Sequence, residues 1–179
     1  MMYITKLNLA VDLDKVQTDL DNILNTGNWI PHNQIGIKHR PNADNIWKDA
    51  IGGLFSLTGE RLANESDFSL WNWPVPTYTQ TVIEELEKLE NFKTGRIRFM
   101  RQMPKTGLSI HFDFDIRYHL VLDTNPGALF GFSTDDVEEV AKCYHVPKDG
   151  HFYKIDTRHK HFVYNAGSEP RIHLVICSS

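Results

Sequence analysis

Ser109-Ile110-His111-Phe112-Asp113-Phe114-Asp115-Ile116-Arg117-Tyr118-His119-Leu120 alternates residue by residue between two chemical characters. Successive side chains of a strand point to opposite faces. One face then carries Ile110, Phe112, Phe114, Ile116, Tyr118 and Leu120, and the other Ser109, His111, Asp113, Asp115, Arg117 and His119. The strict alternation, which continues to Leu122, predicts a β-strand with one apolar, aromatic face and one ionisable face. A solvated surface explains the charges, but such a surface more usually carries Lys, Glu or Thr. Two histidines among the charges suggest instead a barrel lumen that holds a metal and polar ligands.

Outward from this stretch the pattern stays β. Arg96 to Met103 alternates around Ile97 and Phe99, Pro104 to Gly107 is turn chemistry, and Ala128 to Phe132 is short and apolar. His151 to Ile155 reads as another strand, and His161 to Tyr164 and Arg171 to Ile176 flank the turn Asn165 to Pro170. Many short strands separated by turns predict a mainly β protein, a jelly roll or related barrel, with helices packed outside. The N-terminal half is different. Met2 to Leu9 suggests a strand. Asp12 caps a helix whose stripe is Leu13, Val16, Leu20, Ile23 and Leu24, with Gly27 as its stop. Asn28 to Ser69 reads as short strands and loops. Thr77 or Thr79 caps a second helix with the stripe Val82, Ile83, Leu86 and Leu89. The expectation is one domain over 1–179, with 1–94 as helical and irregular support and 95–179 as the β core.

Composition narrows the function classes. A net charge of -4 and a pI near 6.1 give no electrostatic footprint for nucleic acid. No apolar run approaches a membrane span, and the N-terminus lacks a signal-peptide core. Cys143 and Cys177 are too few for a disulfide framework and suit no zinc spacing. A reducing cytoplasmic setting is the default expectation; the oligomeric state is not legible.

The ionisable residues suggest chemistry. His111 and Asp113 form a His-x-Asp pair, His161 follows 50 residues later, and Arg171 lies ten residues beyond it. Nine His and fourteen Asp in this length supply about 0.7 such triplets by chance, so the pair alone is weak. The companions strengthen it, because two imidazoles and one carboxylate on one face of a metal are the ligand set of non-haem iron(II) oxygenases. His159 shares a face with His161 and is its rival as ligand. Arg171 offers a two-pronged donor suited to a carboxylate. Asp115 is a candidate charge partner for Arg117, Asn165 a turn residue, and His173 a residue of the outer sphere or core. Trp71 and Trp73 read as buried packing in preference to a pocket wall.

The segment His161-x-Val-Tyr-Asn-x-Gly-x-Glu-Pro-Arg171 resembles the C-terminal motif of the aspartyl/asparaginyl β-hydroxylase family. Gly95-Arg-Ile-Arg-Phe, Pro104-Lys-Thr, His111 and Arg117-Tyr-His119-Leu resemble the part that precedes it, so the likeness spans Gly95 to Ile176. Bacterial hydroxylases of free proline share this core pattern. The resemblance implies a double-stranded β-helix (cupin-like) enzyme that uses iron(II), 2-oxoglutarate and O₂ to hydroxylate a C–H bond of an amino acid. It implies His111 and His161 as metal ligands and Arg171 on the distal carboxylate of 2-oxoglutarate. It also implies His119 near the cosubstrate, and Arg117 toward a cosubstrate or substrate carboxylate. Animal members carry glycine where this chain has Asp113, which here completes a triad of His111, Asp113 and His161. A small polar family position on the cosubstrate appears here as Met100. The substrate is an aspartyl or asparaginyl residue in a peptide, or a small free amino acid such as proline. The alternatives are a non-oxidative metal-binding cupin-like barrel, which has no need of Arg171, and a zinc hydrolase on the same two histidines and aspartate.

Overall fold

Alternating apolar residues in the C-terminal half and helically spaced ones in the N-terminal half sort the chain into its elements. A computed structural model describes residues 3–26, 29, 33–56, 58–133 and 141–179. In order they form β1 (Ile4–Ala10), α1 (Leu13–Thr26), β2 (Gln34–Gly36), β3 (Lys38–His39), β4 (Leu70–Trp71), α2 (Thr77–Glu90) and β5 (Thr94–Gln102). The remainder is β6 (Thr106–His111), β7 (Arg117–Asp123), β8 (Ala128–Phe132), β9 (Lys142–His145), β10 (His151–Ile155), β11 (His161–Asn165) and β12 (Arg171–Ser178). The fold is mainly β, a double-stranded β-helix of the jelly-roll, cupin-like kind, as the alternation predicts, and among the described residues both α-helices lie in the N-terminal half. None of the described helices is long and apolar enough to cross a membrane. Two compact units emerge: Met1–Ala10 with Arg101–His173, and Val11–Met100 with Leu174–Ser179.

In the first unit β1, β10 and β7 pair antiparallel in that order. β6, β11, β8 and β9 form a second antiparallel sheet. Val121 from β7, Tyr153 and Ile155 from β10, Phe130 and Phe132 from β8 and Val163 from β11 share one buried cluster. Phe132 is fully buried and stacks on Tyr3 with ring centroids 4.4 Å apart. Burial of each such side chain contributes about 1.5–3 kcal/mol.

The predicted uninterrupted strand through Ser109 to Leu122 is not what forms. β6 ends at His111 and β7 begins at Arg117. Between them the Asp113 N–H donates to the Thr157 carbonyl (2.8 Å), and the Thr157 hydroxyl donates to the Asp115 carbonyl (2.6 Å). These bonds satisfy the backbone away from a ladder. The expected apolar face is also split. Tyr118, Leu120 and Leu122 are buried, whereas Ile110, Phe112 and Phe114 are exposed. β6 contains a bulge as well. Val163 pairs with Leu108, yet His161 pairs with His111, so β6 holds one extra residue between those pairs.

In the second unit α1 starts where Asp12 Oδ1 accepts the N–H groups of Asp14 and Lys15, and it buries Val16, Leu20 and Ile23. Gly27, the expected stop, lies outside the described residues. α2 buries Val82, Ile83 and Leu86, but neither Thr77 nor Thr79 caps it. Thr79 is inside the helix, and its N–H and hydroxyl both donate to Asp19 Oδ2 (2.7 and 2.8 Å). A carboxylate from α1 thus satisfies an orphan N–H in the first turn of α2 and suits its positive end. The buried Arg96 forks onto Glu65, with Nη2 to Oε1 at 2.7 Å, and donates Nη1 to the Gly52 carbonyl. Gly95 permits that approach, since a Cβ there would lie 2.5 Å from the Glu65 Cβ. Trp73, expected in the interior, is 79% exposed, and Trp71 is half-buried with the Lys38 ammonium over its ring.

Candidate metal centre

The bulge in β6 decides which side chain meets β11. Continued without the extra residue, the Leu108–Val163 register would set Ile110 opposite His161; with it, His111 takes that place. The two imidazoles then lie 4.3 Å apart between centroids. Asp113, two residues past the strand end, brings Oδ2 to 3.8 Å from His161 Nε2. One ligand-type atom from each of His111, Asp113 and His161 lies within 4.8 Å of the others.

Both rings are held in the same tautomer. His111 Nδ1 is 2.7 Å from the Ser109 carbonyl, and His161 Nδ1 is 2.9 Å from the His159 carbonyl. A carbonyl only accepts, so each Nδ1 carries the proton and each Nε2 keeps a lone pair for a metal. Burial is the main cause that holds His161 below its usual 6.5. The charges of His111 and Arg117 act with it, and the His159 carbonyl and Asp113 oppose it. Arg117 donates Nη2 to Asp113 Oδ1 at 2.6 Å, which fixes the carboxylate. The donor set fits one divalent ion. His159 faces elsewhere, with its ring against Tyr3 and its Nε2 3.7 Å from Asp156 Oδ2.

Arg171 and His173 start β12 and are both buried. Arg171 Nε lies 2.9 Å from His173 Nε2, Nη2 lies 2.9 Å from His173 Nδ1, and Nη1 donates to Gln102 Oε1 at 3.0 Å. Burial, then the charges of Arg171, His119 and His145, hold His173 well below 6.5. The ring is therefore neutral and accepts through one nitrogen only. Among the described residues no carboxylate pairs with Arg171, and burial pushes its guanidinium down to about 9. It lies over the Phe130 ring at 5.1 Å. The same ring meets His119 edge-on at 5.2 Å and stacks on His161 at 6.3 Å, and His119 Nδ1 is 3.2 Å from His173 Nδ1. Phe130 thus touches Arg171, His119 and His161 alike.

The sequence marked His111, Asp113, His161, Arg117, His119 and Arg171, and all six lie in the first unit. It did not mark Gln102 or Phe130. Their only sequence signal is strand parity, with Gln102 on the polar side of β5 beside Arg96 and Arg98.

The fold is similar to solved structures at low identity. AviO1 from Streptomyces viridochromogenes Tue57 aligns with 14% identity and a TM-score of 0.58 over 98% of this chain and 89% of that one. The viral collagen prolyl hydroxylase vCPH from Paramecium Bursaria Chlorella virus-1, solved as its 2OG complex, aligns with 12% identity and a TM-score of 0.54 over 99% and 95%. An oxidoreductase of the 2OG-Fe(II) oxygenase family from Burkholderia pseudomallei aligns with 16% identity and a TM-score of 0.50 over 62% of this chain and 61% of that one, less than two thirds of its length. No curated protein matches. The family model described as Aspartyl/Asparaginyl beta-hydroxylase matches residues 12–178, nearly the whole chain, and the protein belongs to that family.

Proposed function

We propose that the protein is an iron(II)- and 2-oxoglutarate-dependent hydroxylase acting on a C–H bond of an amino acid, free or within a peptide. The observation that carries this is Arg171. A buried cation costs several kcal/mol unless an anion pairs with it, and among the described residues this one has only the neutral partners His173 and Gln102. A ligand carboxylate supplies the missing charge. The terminal nitrogens suit it, because the three contacts leave at least two of the five N–H groups, one on each Nη.

His111, Asp113 and His161 hold the metal in this reading. Bound by these three residues together with a 2-oxoacid and O₂, the metal would supply an oxidant able to attack an unactivated C–H bond. The chain's own residues aim and shield. The carbonyls of Ser109 and His159 fix the imidazoles, and Arg117 holds Asp113 Oδ1 so that Oδ2 remains toward His161. Phe130, in contact with both Arg171 and His161, would give the cosubstrate an apolar wall. His119, held against His173, would contact the cosubstrate in this reading. Family membership and the similarity of fold to a viral collagen prolyl hydroxylase support an amino-acid substrate.

Anaerobic addition of iron(II) and 2-oxoglutarate is expected to produce a weak visible absorption. In air, screening free amino acids and short peptides should reveal substrate-stimulated release of succinate. Undiminished turnover in His161→Ala and Asp113→Ala would refute the assignment. A zinc hydrolase or a non-oxidative barrel predicts neither signal and gives Arg171 no task.

A further inference from the structure

We infer that Gln102 is a positioning and specificity residue that aims Arg171 while leaving its charge uncancelled, so that the site selects a cosubstrate with a second carboxylate. This rests on the 2-oxoglutarate assignment above. Gln102 ends β5, and its amide is oriented by its surroundings. Nε2 lies 3.2 Å from the Thr106 carbonyl and 3.3 Å from the Val163 carbonyl. Both carbonyls only accept, so the NH₂ group must face them, and Oε1 is left to receive Arg171 Nη1 at 3.0 Å. The backbone is held as well. Asn165 Nδ2 donates to the Gln102 carbonyl at 3.1 Å and to the Glu169 carbonyl at 2.8 Å, which ties the end of β5 to the turn before β12.

The amide is what separates aim from neutralisation. A glutamate here would match the shape and still reach Arg171, but it would supply the very charge a ligand carboxylate brings. It would also set an oxyanion against the two carbonyls that now accept from Nε2. His173 acts in the same sense from the other side, since it is neutral and takes an N–H without cancelling charge. The guanidinium is thus fixed by two uncharged acceptors and keeps its full attraction for an anion.

The test compares wild type with Gln102→Glu and Gln102→Met. Binding of 2-oxoglutarate is followed by calorimetry with manganese(II) as a redox-silent ion, and turnover by succinate release. Gln102→Glu is expected to weaken 2-oxoglutarate binding and raise its KM at least tenfold, to leave kcat at saturating cosubstrate within about threefold, and to leave manganese(II) affinity without loss; its ion pair with Arg171 offsets the repulsion from the Thr106 and Val163 carbonyls, so the variant stays folded. Gln102→Met is expected to raise KM less, since the fork loses its aim but keeps its charge. Unchanged binding and KM in Gln102→Glu, beside a wild type that binds 2-oxoglutarate, would overturn the inference and spare the functional assignment. An equal fall in manganese(II) affinity would also overturn it, by marking a merely structural role. A wild type that binds no 2-oxoglutarate would overturn the assignment and this inference with it.

Discussion

Arg96 and Arg171 are both buried arginines on β-strands, and their surroundings are opposite. Arg96 forks onto Glu65 and gives a further N–H to the Gly52 carbonyl, so its charge is cancelled within the fold. Arg171 has two neutral partners and an aromatic ring. The first arrangement is complete without a ligand; in the function proposed above, a ligand carboxylate completes the second. Burial of a charge alone therefore says nothing about function, and the charge balance around it does.

The largest effect is expected at Arg96. Glu65→Gln strands its guanidinium and should cost about 3–5 kcal/mol of unfolding free energy, measured by urea denaturation, with 2-oxoglutarate affinity retained in the folded fraction. Arg171→Leu should do the reverse. It removes an uncompensated cation, so apo stability is unchanged or higher, while KM for 2-oxoglutarate rises about 100-fold or more. If the two variants lost stability equally and cosubstrate binding survived both, the contrast would collapse. A third measurement sharpens it: with redox-silent metal, 2-oxoglutarate at 100 times its Kd should stabilise wild type by about 2.7 kcal/mol and Arg171→Leu by almost nothing.

Protonation gives a smaller effect. Burial holds His173 well below 6.5 and His161 below it, so as pH falls past 6.5 the unfolded chain takes up protons first. Apo stability should then fall with pH, by at most about 1.4 kcal/mol per group per pH unit. Urea midpoints from pH 7 to 5 measure the slope, and His173→Gln should reduce it. The smallest effect is expected at Phe114, which is 59% exposed. Phe114→Ser should change stability by no more than about 0.5 kcal/mol, and a larger loss would mean that the segment between β6 and β7 packs more tightly than its exposure indicates.

The strand pattern of the C-terminal half was legible because alternation records burial directly. β8, β10, β11 and β12 fall where their apolar residues alternate or cluster. β9 was missed, since Lys-Cys-Tyr-His carries no burial pattern and, among the described residues, pairs along one edge of β8 alone. Asp12 was legible as a cap because it acts on its own helix. The cap of α2 was not, because Asp19 comes from 60 residues away. Trp73 was misplaced because residue type suggests burial but does not enforce it.

Side-chain chemistry and spacing in the sequence singled out His111, Asp113, Arg171 and a choice between His159 and His161, which the family motif decided for His161, and they forecast a barrel around them. Tertiary structure alone decided how they meet. One extra residue in β6 puts His111, not Ile110, across from His161, and a bulge leaves no mark in residue type because it depends on register between strands. The neutral cradle of Gln102 and His173 around Arg171 was equally hidden. Whether a buried charge is cancelled depends on which residues distant in the chain stand within hydrogen-bond reach of it, and only the folded chain fixes those distances.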